Sequence, residues 1–111
     1  MAIAEPQVHH AEPMALGEAA VLAEYLGTLA DATRLRILTA LDGVCVPVNV
    51  IVEATGLRQP SVSHHLRILR DRGLVVAERR GAFVYYCHAS TGVHRALRAL
   101  RGLVAPEGGA A

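Results

Sequence analysis

At 111 residues the chain has room for one domain and little more. A composition of 52% hydrophobic and 19% charged residues excludes a disordered chain, and no apolar run approaches the ~20 residues that a membrane span needs. The formal net charge of +1 conceals a segregation: residues 1–57 carry two Arg against seven acids, a net of −5, while residues 58–101 carry nine Arg against Asp71 and Glu78, a net of +7.

Residues 1–13, with two Pro and no apolar period, read as a mobile tail. From Met14 to about Leu29 the positions Leu16, Val21, Leu22, Tyr25, Leu26 and Leu29 recur at helical spacing. "DATRLRILTAL" opens on an Asp suited to cap a second helix, and Gly43 stops it. A short third helix is expected over Val48–Thr55, ended by Gly56, and a fourth over Gln59–Asp71, ended by Gly73. "LVVAERR" and "AFVYYCH" are β-rich runs around a tight turn at Arg80–Gly81, hence a hairpin. A last helix, Thr91 to about Leu103, carries Val93, Ala96, Leu97, Leu100 and Leu103 along one side, and residues 105–111 read as a second tail. The expectation is one domain over 14–104, mainly α with a small β-hairpin, in the order α-α-α-α-β-β-α.

On a wheel of roughly 100° per residue, Val62, Leu66 and Leu69 of the fourth helix face the core. Gln59, Ser63, Arg67 and Arg70 gather opposite, with His64 at the edge. Ser61 sits in the first turn, where a helix end still reaches a groove. His65 falls near the apolar seam and reads as a packed, hydrogen-bonded residue rather than a contact. Amide, hydroxyl, imidazole and guanidinium groups on one face suit the DNA major groove: Gln pairs with adenine, Arg with guanine, and Ser or His with several base edges. The short third helix, "TGLRQP" as turn and the fourth helix make a helix-turn-helix, and "RRGA" makes a wing whose Arg79 and Arg80 reach a phosphate or the minor groove. A merely solvated amphipathic helix explains neither the wing nor the charge segregation.

"LADATRLRILTAL", "VIVEATGLRQPSVSHHLRILRDRGLV" and "ERRGAFVYYCH" resemble the ArsR/SmtB family of bacterial winged helix-turn-helix repressors, over about Leu29 to His88. The resemblance implies a homodimer, built from the first and last helices, that binds a double-stranded operator and is commonly released by a metal ion or another inducer. By position, Gln59, Ser61, Ser63 and His64 match the family's base-reading residues, and Arg58, Arg67, Arg70, Arg79 and Arg80 match backbone contacts. The one-sided stripe of the last helix independently asks for a second copy, as do two-fold operator half-sites.

The sensor departs from the family. Where metal-sensing relatives have a cysteine-rich motif, this chain has Pro47 and Asn49, with Cys45 two positions early; the last-helix site would fall on Ser90, Gly92, Leu103 and Pro106. Neither inherited site is intact. Cys87, His88 and His94, joined by the tail pair His9 and His10, remain as candidate ligands for nickel or zinc. Cys45 and Cys87, expected as free thiols in a cytoplasmic protein, are alternatively a redox pair if their sulfurs lie close. A third alternative is control by a protein co-regulator with no small-molecule inducer. No HExxH, GxSxG, phosphate loop or paired carboxylate supports an enzyme, and the N-terminus lacks the basic-then-apolar pattern of a secretion signal.

Overall fold

The computed structural model describes residues 9–105. Among these residues five helices and three strands follow in order: α1 Leu16–Leu29, α2 Ala32–Ala40, β1 Val46–Pro47, α3 Val48–Thr55, α4 Gln59–Asp71, β2 Val75–Arg80, β3 Phe83–His88 and α5 Thr91–Arg101. The helix order and the hairpin are those expected; β1 was not anticipated.

Local chemistry sets the boundaries. Asp31 caps α2, its carboxylate accepting from the Arg34 backbone N–H at 2.9 Å. That bond, more than the nearby charges of Arg34 and His65, holds the Asp31 carboxyl below its usual range. Ser90 caps α5 in the same way, accepting from the Val93 N–H at 3.2 Å. α3 ends where Gly56 turns to φ 71°, a left-handed conformation that disfavours a side chain. α5 ends two residues sooner than the periodicity suggests, at Arg101, with Leu103 left 80% exposed beyond it.

The core forms where α2, α3, α4 and the start of β2 meet. Ile37, Leu38, Ile51, Val62 and Leu69 are 0% exposed. Burial of Val62, Leu66 and Leu69 contributes about 1.5–3 kcal/mol each and fixes the rotation of α4 about its axis. The sheet runs β1-β3-β2, both pairs antiparallel. Gly81, at φ 63°, opens the two-residue loop between β2 and β3, where a type II′ turn calls for glycine.

The outer helices are left unfinished. α1 buries only Thr28 and Leu29. Leu22, Tyr25 and Leu26 remain 40–46% exposed and, with Val93, Ala96, Leu97 and Leu100 of α5, line an apolar groove. No described helix is long and apolar enough to cross a membrane.

Candidate nucleic-acid interface

With Val62, Leu66 and Leu69 turned inward, the opposite face of α4 is turned out. Gln59, Ser63, His64, Arg67 and Arg70 are all exposed, as is Arg58 just before the helix, while Ser61 in the first turn is half-buried. Arg58 offers no side-chain cap, and Pro60 supplies no N–H in the first turn. The remaining amide donors and the helix dipole therefore stay open to an anion. His65 is half-buried as expected, but among the described residues its buried Nδ1 has no hydrogen-bond partner.

The wing treats its two arginines differently. Arg80 Nε donates to Glu78 Oε1 at 2.6 Å, and its guanidinium lies 4.8 Å from the Tyr85 ring centroid. Successive strand residues face opposite sides, so Arg79 points away from this pair. Among the described residues Arg79 has no ion pair, and neither have Arg58, Arg67 and Arg70. Arg80 is thus partly neutralised, which the sequence reading of two equivalent wing arginines missed; a Glu two residues earlier on a strand was the available signal. Phe83 at the wing tip is 59% exposed, and with Asn49, Glu53, Gln59 and Tyr86 it lines an open groove of about 500 Å³ between α3 and the wing.

The candidate metal ligands are not assembled. Cys87 is bonded to Cys45 in a disulfide, so neither is a free thiol and neither sulfur is free as a ligand. His88 Nε2 lies 2.7 Å from the Leu38 carbonyl oxygen, and His94 Nδ1 lies 3.1 Å from Asp42 Oδ1. His88 and His94 do come together, with ring centroids 5.6 Å apart. His9 and His10 are exposed, and His10 Nδ1 lies 2.9 Å from the Ala11 carbonyl oxygen. Among the described residues no three His, Cys, Asp or Glu side chains converge on a metal position. While the bond to Cys45 is closed, the expected nickel or zinc set of Cys87, His88, His94, His9 and His10 lacks its one soft donor.

An exposed polar and cationic helix held on a packed three-helix unit, with a charged hairpin beside it, defines a DNA-binding winged helix-turn-helix module. The comparisons agree. A family model described as a helix-turn-helix domain matches residues 29–78. The chain is 42% identical over 85 residues to the HTH-type transcriptional regulator NmtR of Mycobacterium tuberculosis, covering 77% of this chain and 71% of NmtR. It is 39% identical over 89 residues to a transcriptional repressor SmtB homolog of Synechocystis, covering 78% of this chain and 67% of that protein. Among solved structures, the homodimeric winged helix-turn-helix DNA-binding domain Mb0332 of Mycobacterium bovis, described as a possible ArsR-family regulator, superposes with a TM-score of 0.70 at 31% identity, covering 81% of this chain and 86% of that one. The chain belongs to the ArsR/SmtB family: it is a DNA-binding transcriptional regulator, not an enzyme.

Proposed function

We propose that the protein is a homodimeric repressor acting in the cytoplasm on a two-fold operator, each α4 lying in the major groove of one half-site. Gln59, Ser61, Ser63 and His64 read base edges. Arg58, Arg67, Arg70 and Arg79 hold the phosphate backbone, with Arg80 a weaker contributor because Glu78 competes for it. The observation that carries this reading is the division of α4, with three aliphatic side chains sealed in the core and Gln59, Ser63, His64, Arg67 and Arg70 presented together to solvent. The exposed apolar groove between α1 and α5 supports pairing with a second copy, since such a face is costly to leave in water.

The test is a set of titrations against the protein's own promoter fragment and a scrambled duplex. Gln59→Ala and His64→Ala are expected to narrow the gap between the two duplexes, each costing about 1–3 kcal/mol on the specific site. Arg67→Ala is expected to weaken both alike and to lower the salt slope by about one. Equal losses on both duplexes for all three variants would refute base reading by α4.

A further inference from the structure

Cys45 and Cys87 are unused by the DNA surface and, while bonded to each other, unavailable to a metal, yet they lie at a mechanically particular place. β1 pairs with β3 through Val46↔Tyr86 and Pro47↔Tyr85, so Cys45 and Cys87 form the next pair along the same ladder, with Cα atoms 4.4 Å apart. β1 is two residues long, leads directly into α3, and among the described residues has no other strand partner. The bond closes a loop of sequence separation 42 that contains α3, the turn, α4 and both arms of the wing up to Cys87. Every residue assigned to DNA contact lies inside that loop. Both cysteines are half-buried and line an open cleft of about 380 Å³ beside Leu41, Val44, His88 and His94, so a small reductant has access. His94 also lines this cleft, its Nδ1 3.1 Å from Asp42 Oδ1.

We infer that the Cys45–Cys87 bond is a reversible redox clasp, and that closing it sets the helix-turn-helix and the wing in the mutual geometry that holds DNA. The inference rests on the DNA-binding reading above. Opening consumes a dithiol or two monothiols. A thiolate attacks one sulfur of the bridge and forms a mixed disulfide, releasing the other cysteine as thiolate. A second thiolate then attacks the reagent's sulfur, releasing the remaining cysteine and leaving the reagent oxidised by two electrons. Glutathione disulfide closes the bridge by the reverse exchange. Once open, the wing is tied to the strand entering α3 by a two-residue ladder and by the packing of Val46 and Tyr86 on the core. Binding must then fix that geometry at its own expense, and affinity falls.

Two measurements test this. In glutathione buffers of graded thiol-to-disulfide ratio, thiol alkylation and intact mass should show the bridge opening and re-forming reversibly. A chain that stays bridged throughout, or never bridges, overturns the clasp whether or not DNA binds. Separately, fluorescence anisotropy on the promoter fragment should show the oxidised protein binding about tenfold more tightly than the phosphine-reduced protein. The Cys45→Ser/Cys87→Ser double variant should match the reduced protein under both conditions. Equal affinity in the two states, or a double variant that still responds to the reductant, overturns the coupling. Failure of every form to prefer the promoter over a scrambled duplex would instead sink the DNA-binding reading, with the alkylation result left to decide the clasp.

Discussion

At the scale of single residues, Arg80 shows how a contact on paper is modified by its neighbour. Its charge is shared with Glu78 and spread over Tyr85, so a phosphate must compete with a carboxylate already in place. Both partners are about half exposed, so the pair is screened and exchangeable rather than locked. Glu78→Gln is therefore expected to raise affinity for any duplex and to steepen the dependence of log K on log salt by about 0.9, one additional phosphate contact. Titrations at several salt concentrations check it; an unchanged slope would show that Arg80 stays off the backbone even when released. Arg79, on the opposite side of the strand, already lacks such a competitor among the described residues.

At the scale of elements, the parts legible in the sequence are those fixed by short-range rules. α3 and α4 lie where apolar spacing and Gly56 and Gly73 put them, because helical period and a left-handed stop are both written locally. The outward face of α4 follows from the same period. β1 was invisible because two residues, one a Pro, carry no alternation; only their pairing with Tyr85 and Tyr86 makes them a strand. The meeting of Cys45 and Cys87 was illegible for a related reason: a separation of 42 residues is closed by topology, not by any pattern near either cysteine. Gly56 offers a clean test of the local rules. A Cβ there meets nothing within 4 Å, so Gly56→Ala adds backbone strain alone. It is expected to destabilise the protein by about 1 kcal/mol, read as a lower urea midpoint at unchanged m value. A loss of several kcal/mol would mean that the turn between α3 and α4 is packed more tightly than its geometry indicates.

At the scale of the whole molecule, the core and the assembly draw on different helices. The central helices bury their aliphatic side chains within one chain, whereas Leu22, Tyr25 and Leu26 of α1 face an apolar groove shared with α5. A second subunit on this face would bury it and set two copies of α4 at a fixed spacing. Leu22→Glu puts a charge in that groove while leaving the inner core untouched. The expected outcome is a monomer by light scattering, with helical content retained and promoter affinity reduced at least as far as that of one half-site. A variant that remains dimeric would move the interface elsewhere.

The order β1-β3-β2 has a further consequence for crowded protein. With β3 in the middle, β2 presents one long rim of amides and carbonyls unpaired among the described residues, the kind of template along which sheets extend from molecule to molecule. Glu78, Arg79 and Arg80 stand exposed at the outer end of that rim, where charge makes stacking against a second rim costly. Arg79 and Arg80, suited to a polyanion, thereby also make such extension costly in the unbound protein.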